Sequence, residues 1–260
     1  MEGIPVYLVY ILVFMSGTVV GSFISCYVWR AHNNISLIIG RSRCVHCGRQ
    51  LKWWENIPIL SFLILGGKCR VCNKKIPLHY LLIEFFTGVL FVFIYWTDFQ
   101  HFQTGAWSLA RDLFFLACLI VIFIGDLLYE TIWPALVWVG AAIGFLLNVI
   151  IDSVSIEMMA VGFVVGCLFF LIQYIISRGR WIGGGDVRLG ALMGVWLGFP
   201  NVLVAIMLAY LLGALISIFL LIFRKKSWSA ALPLGSFLAV ATIFALNHGS
   251  QVVEWFEGLL

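Results

Sequence analysis

Long apolar runs separated by polar segments dominate the sequence. Eight runs are predicted to be helices in a membrane, at about 6–28, 79–97, 111–128, 132–151, 158–176, 187–199, 202–223 and 232–247. Runs of about 17 residues or more match a hydrocarbon core of ~30 Å. The run at 187–199 covers only about 20 Å, so we expect a short helix packed inside the bundle. The pattern predicts an all-α polytopic membrane protein with about eight transmembrane helices.

The composition excludes an ordinary soluble domain. The 260 residues are 63% hydrophobic and 11% charged, with a mean hydropathy of +1.06, whereas soluble domains are about 25% charged. The net charge of +4 could suggest nucleic-acid binding, but nine of the sixteen Lys and Arg residues lie between Arg30 and Lys75. Basic residues beside spans mark the cytoplasmic side. We therefore predict a cytoplasmic loop there, no nucleic-acid partner, and contact with the lipid bilayer.

The remaining charges agree with an N-terminus on the outside. With that orientation the cytoplasmic loops contain Asp126–Glu130, Arg178–Arg188 and Arg224–Lys226, and Arg111 is the one basic residue on the opposite side. The outer loops carry acids: Asp98, Asp112, Asp152 and Glu157. This asymmetry predicts a multi-pass protein with its loop of about 50 residues in the cytoplasm.

Two Cys-x-x-Cys pairs in the basic loop predict a metal centre. They are Cys44 with Cys47 and Cys69 with Cys72, separated by 21 residues. Two such knuckles supply four thiolates to a tetrahedral Zn²⁺ and leave no open position, which indicates a structural ion. Two alternatives remain: His46 replaces one cysteine, or all four are free thiols.

Three carboxylates near the ends of spans are candidates for chemistry, since charges in spans are costly and usually functional. Asp126 ends the third run, Asp186 follows three glycines, and Glu84 lies early in the second. Two aspartates at one depth can share a proton, one acting as base on water and the other as acid toward a carbonyl. The glycines permit positive φ and close approach of a substrate strand. A proton relay, an ion site or a structural hydrogen bond are the alternatives.

These motifs resemble those of the type IV prepilin peptidases, which are GxGD-type intramembrane aspartyl proteases. The resemblance covers most of the chain. The length and the loop sequence around Ile57–Phe62 are most similar to the competence and Gram-positive branch. Its parts are Gly21-Ser22-Phe23, Arg30, Arg41–Cys47, Glu55–Phe62, Gly67–Cys72, Glu84 and Gly183–Leu189.

The resemblance implies a bacterial cytoplasmic-membrane enzyme that cuts the basic leader from prepilins or pseudopilins on the cytoplasmic face. It implies Asp126 and Asp186 as the catalytic pair, with Gly183 and Gly185 in the catalytic loop. Many members also methylate the new N-terminus with S-adenosylmethionine. The implied division is 1–97 for methyl transfer, with the zinc loop, and 98–260 for a six-span protease core. The resemblance also makes three residues candidates for substrate or cofactor binding: Glu84, Arg30 and Arg70.

Two departures from the family pattern and several alternatives remain open. The sequence Ile132-Trp133-Pro134-Ala135 places proline one position late and lacks the usual polar residue, and Arg188 replaces a lysine. The alternatives are a peptidase without methyl transfer, a proton-coupled transporter, and a non-catalytic zinc-loop assembly factor. For the three candidate binding residues, ion pairing or snorkelling at the interface is the structural alternative.

Overall fold

The structure is a computed structural model that describes residues 5–37, 40–98, 105–223 and 233–259. The predicted basic loop Arg224–Lys226 and the start of the last predicted run lie outside these ranges. The α-helices of the described residues are α1 Val6–His32, α2 Leu60–Ile64, α3 Leu78–Thr97, α4 Ala106–Tyr129, α5 Pro134–Ile151, α6 Ile156–Ser177, α7 Gly184–Leu197, α8 Asn201–Ile222 and α9 Leu234–Glu257.

The predicted all-α membrane fold is confirmed. Seven of the described helices are long and apolar enough to cross a bilayer; they are α1, α3, α4, α5, α6, α8 and α9. The eighth predicted element is α7, whose 14 residues span only about 21 Å. Every residue from Leu189 to Leu197 is buried, so this short helix lies inside the protein, as predicted.

The last predicted run ends too early. The prediction stops at 247, where polar residues begin, but α9 continues to Glu257. A helix needs only satisfied backbone hydrogen bonds and an amphipathic surface to continue past the apolar zone. Hydropathy therefore marks the end of the apolar stretch and not the end of the helix.

The chain divides into two compact units, Met1–Leu109 and Ala110–Leu260. In the first unit, α1 packs along α3 through small residues. A Cβ added to Gly17 would lie 2.8 Å from the Cα of Gly88, and one added to Gly21 would lie 2.8 Å from the Cα of Glu84. Glycine at these positions lets the two backbones approach closely. The polar loop between the two helices belongs to the same unit.

In the second unit, α7 is packed against α5, α6 and α9. Trp196 of α7 is buried, stacks on Phe115 at 4.1 Å between ring centroids, and donates from Nε1 to the carbonyl of Gly140 at 3.0 Å. A glycine face of α7 meets α6, where Gly190 and Gly194 oppose Gly166 and Gly162. These contacts hold α7 as a fixed platform for the residues at its N-terminus.

Gly194→Ala is expected to lower the thermal unfolding temperature, because the new Cβ would overlap the carbonyl oxygen of Gly162. Overpacking of this kind costs about 1–3 kcal/mol. Gly213→Ala on α8 is the control, since the nearest atoms to its Cβ are those of the Phe237 ring, at an ordinary contact distance of 3.5 Å. Tryptophan fluorescence of detergent-solubilised protein during heating measures both. An unchanged unfolding temperature for Gly194→Ala would contradict the close crossing.

Candidate active site and metal centre

Asp126 lies in the last turn of α4 and its side chain is held by the beginning of α9. The residue is buried, with 7% of its surface exposed. Its Oδ2 accepts hydrogen bonds from the backbone N of Ser236 at 2.7 Å and from the Ser236 Oγ at 3.2 Å. The first turn of a helix has free N–H groups and a positive partial charge, which favours a carboxylate there.

Asp186 lies in the first turn of α7 and is likewise buried. Its Oδ2 accepts a hydrogen bond from the backbone N of Gly183 at 2.9 Å, which caps the helix. The glycines do not use their freedom to adopt positive φ: φ is −83° at Gly183, and Gly184 and Gly185 are not among the positive-φ glycines. Helix α7 begins at Gly184, so the glycines form its cap and first turn.

The structure brings the two predicted aspartates together. The side chain of Ile132 lies near both acids. A Cβ added to Gly185, next to Asp186, would lie 3.2 Å from this side chain, and a Cβ added to Gly235 would lie 2.8 Å from it. That same Gly235 Cβ would lie 2.9 Å from Oδ2 of Asp126. The two carboxylates are close enough for their charges to interact. Two buried acids at adjoining helix starts can share a proton.

The structure gives a reason for the departure at 132–135. Pro134 is the first residue of α5, where its missing N–H costs nothing. Trp133 packs against Gly125, and Ile132 is buried between Gly185 and Gly235. The apolar side chain of Ile132 therefore fills the space beside the acids.

The four predicted cysteines converge in the first unit. The Sγ atoms of Cys44, Cys47, Cys69 and Cys72 all lie within 4.8 Å of one another, and Cys44 and Cys72 are 3.9 Å apart. Four sulfurs at 2.3 Å from a tetrahedral ion are separated by about 3.8 Å. The cluster therefore fits a metal of zinc's size, and His46, whose Nε2 lies 3.2 Å from the carbonyl oxygen of Lys75, is outside it.

The two knuckles share one backbone pattern. Gly48 N donates to the Cys44 carbonyl at 2.9 Å, and Asn73 N donates to the Cys69 carbonyl at 2.9 Å. Gly48 and Asn73 both have positive φ, +70° and +55°, which glycine and asparagine tolerate best. The N–H groups of Cys72 and Val71 lower the pKa of the Cys69 thiol to about 6, favouring the thiolate that a metal needs.

A buried ion pair beside the knuckles was not predicted. Arg49 forms two hydrogen bonds with Glu55, of 2.6 and 3.0 Å, and the Glu55 side chain is fully buried. Lys52 N donates to the same carboxylate at 2.8 Å. The guanidinium holds the pKa of Glu55 below its usual range. The sequence showed Glu55 as the one acid in a basic loop, but not which arginine it pairs with.

The first unit contains a cavity of about 270 Å³ between α1, the cysteine loop and α3. Its walls include the predicted residues Arg30 and Glu84, the aromatic rings of Trp29 and Tyr80, and Arg49. The third candidate, Arg70, is not part of the wall; its guanidinium lies over the Trp54 ring at 5.5 Å. The structure therefore unites two of the three predicted binding residues.

Arg30 and Glu84 both attach the loop to the helices. Arg30 donates to the carbonyls of Ser36 at 3.3 Å and Gly40 at 2.8 Å. Glu84 Oε2 accepts from the N–H of Ile59 at 2.7 Å. Ile59 has φ +60° and ψ −53°, and Leu60 N donates to the Pro58 carbonyl, which makes a γ-turn of the rare, strained type. The turn directs its N–H toward the carboxylate in the cavity.

Comparisons with known proteins find related sequences along most of the chain. Residues 15–98 match the bacterial Peptidase A24 N-terminal domain, and residues 113–218 match the type IV leader peptidase family. Proteins named prepilin leader peptidase/N-methyltransferase are similar: 29% identity for Legionella pneumophila (86% of this chain, 78% of the relative), and 31% for Stutzerimonas stutzeri (84% and 75%). The one from Pseudomonas aeruginosa is 30% identical (84% and 75%). No solved structure matches.

Proposed function

The chain belongs to the type IV leader peptidase family, and on that premise we propose that it is an intramembrane aspartyl endopeptidase. It removes the basic leader from type IV prepilins or pseudopilins at the cytoplasmic face of the bacterial inner membrane. It then methylates the new N-terminus. The observation that supports the peptidase assignment is that two buried carboxylates, Asp126 beside the start of α9 and Asp186 in the first turn of α7, both lie near the side chain of Ile132.

The proposed reaction uses the two acids with a water between them. One carboxylate takes a proton from the water, and the other, protonated, donates to the scissile carbonyl oxygen. Desolvation and mutual repulsion of the pair favour one shared proton over two anions. The glycines at the cap of α7 present no side chains to an extended substrate segment. Glycines 183 and 185 are therefore proposed as part of the loop that admits the substrate.

Leader removal in detergent tests this function directly. Purified protein is mixed with a purified prepilin, and the products are identified by mass spectrometry. We expect a single cut between the basic leader and the apolar segment. A proton-coupled transporter or a non-catalytic assembly factor would leave the prepilin intact, so the absence of cleavage by well-folded protein would overturn the proposal.

The cysteine cluster is proposed to hold a structural Zn²⁺. Four thiolates leave no position for a substrate or a water, and the loop has few buried apolar side chains besides Cys69. A metal bound there contributes folding energy to the loop. The ion is proposed to have no part in peptide hydrolysis, because four thiolate ligands leave it no open coordination position.

Methyl transfer is proposed to use the cavity of the first unit as the site for S-adenosylmethionine, which supplies an activated methyl group when bound. Residues 1–97 are the proposed methyltransferase part, and residues 98–260 the protease core. The wall suits a zwitterionic, aromatic ligand: it offers carboxylates, guanidiniums and the rings of Trp29 and Tyr80. Arg49 also lines this wall, and its guanidinium is paired with Glu55.

Glu84→Gln is expected to weaken binding of S-adenosylmethionine at least about 10-fold, since a hydrogen bond to a charged group is worth about 1.5–3 kcal/mol. A glutamine oxygen can still accept from the Ile59 N–H, so the loop keeps its attachment while the negative charge is lost. Isothermal titration measures the affinity without turnover. Glu157→Gln, at an exposed position of the second unit, is the control.

Two results would contradict the cofactor site. One is equal affinity in the Glu84→Gln and unchanged proteins. The other is no measurable binding by the unchanged protein, which would leave a peptidase without methyl transfer. Leader cleavage by Glu84→Gln is expected to stay normal.

A further inference from the structure

Ser236 is joined to Asp126 by both its backbone and its side chain. The backbone N and the Oγ both donate to Oδ2 of Asp126, at 2.7 and 3.2 Å. The Oγ also lies 3.4 Å from the carbonyl oxygen of Phe123. A hydroxyl has one proton to donate, and the nearer, charged acceptor forms the stronger bond. Ser236 is 3% exposed, so water competes little for this contact.

The two aspartates are therefore held differently. Oδ2 of Asp126 accepts from two donors of Ser236, whereas Oδ2 of Asp186 accepts from one, the N–H of Gly183. Donors that point at a carboxylate stabilise its ionised form. The environment thus favours the charge on Asp126, and the two hydrogen bonds to Oδ2 fix the rotation of its carboxylate.

We propose that Ser236 is a positioning residue that makes Asp126 the base of the pair and leaves the shared proton on Asp186. This rests on the proposed peptidase function. Oδ1 of Asp126 takes a proton from water as the water oxygen bonds to the carbonyl carbon, and the Asp186 proton passes to the carbonyl oxygen. When the C–N bond breaks, the proton on Asp126 goes to the leaving nitrogen. A hydroxyl proton of the intermediate returns to Asp186.

A set of three variants tests this role in detergent with a purified prepilin. Ser236→Ala removes the hydroxyl donor but keeps the backbone N–H, so kcat is expected to fall about 10- to 100-fold with KM unchanged. Ser236→Thr restores the hydroxyl and is expected to recover most of the rate. Ser236→Val has nearly the shape of threonine without the hydroxyl, and is expected to remain as slow as alanine. Thermal unfolding of each variant measures its folding.

The outcomes separate this inference from the function on which it rests. Equal rates for the threonine and valine variants, whether high or low, would overturn it, as would an alanine variant with normal kcat. Either result leaves the peptidase standing if the unchanged protein cleaves. No cleavage by the unchanged protein would instead remove the peptidase function itself.

Discussion

Asp126→Asn and Asp186→Asn are each expected to cleave a prepilin at least about 10³-fold more slowly than the unchanged protein. A positioned acid or base contributes about 10²–10⁴-fold to a rate, and a carboxamide can neither take a proton from water nor donate one to a carbonyl. Both changes preserve size, and an amide oxygen can still accept from Ser236 or Gly183. Mass spectrometry of leader release over time measures the effect.

Asp152→Asn is the matched control. Asp152 is exposed, ends α5, and has φ +56°, a conformation that asparagine adopts readily. We expect it to cleave normally and to unfold at the same temperature. Substantial cleavage by a folded Asp126→Asn or Asp186→Asn variant would exclude that residue from the chemistry.

Loss of the cysteine cluster is expected to have the second largest effect, confined to the first unit. Cys44→Ser or Cys72→Ser should abolish zinc binding and unfold the loop, because binding of structural zinc is worth about 10–16 kcal/mol. The expected signs are loss of zinc from the purified protein and rapid proteolysis between residues 40 and 77. Elemental analysis and limited proteolysis measure the two effects.

Cys167→Ser provides the control for removal of a thiol, because Cys167 lies on α6, in the other unit. It should retain zinc and a resistant loop. Prepilin cleavage should survive in all three variants if the ion is purely structural. If the loop stays resistant to proteolysis after zinc is lost, the ion does not stabilise the loop and the structural role is contradicted.

The fold could be predicted from hydropathy because the bilayer imposes length and apolarity on each span. The short α7 was recognisable for the same reason, as a run too short to cross. The end of α9 at Glu257 was not recognisable, since beyond the apolar zone a helix is limited by its hydrogen bonds and caps. The conformation of the three glycines could not be predicted from the sequence, because glycine permits positive φ without requiring it.

The candidate sites divide along similar lines. The aspartates and cysteines could be identified because charges in spans are usually functional and two Cys-x-x-Cys motifs usually bind a metal. Ser236 could not, because its partner is 110 residues away and one serine at the start of an apolar run indicates only a helix N-terminus. The pairing of Arg49 with Glu55 could not be predicted, because nine Lys and Arg residues of the same segment were possible partners for the carboxylate.

Cross-linking at positions 126 and 186 tests the central claim most directly. In an Asp126→Cys/Asp186→Cys double variant, a short bifunctional thiol reagent such as dibromobimane should join the two sulfurs. Its reach is comparable with the span of one water bonded to both side chains, about 6 Å. We predict a linked peptide containing both positions, absent from either single variant. Efficient labelling of both thiols with no link between them would show that the acids do not meet.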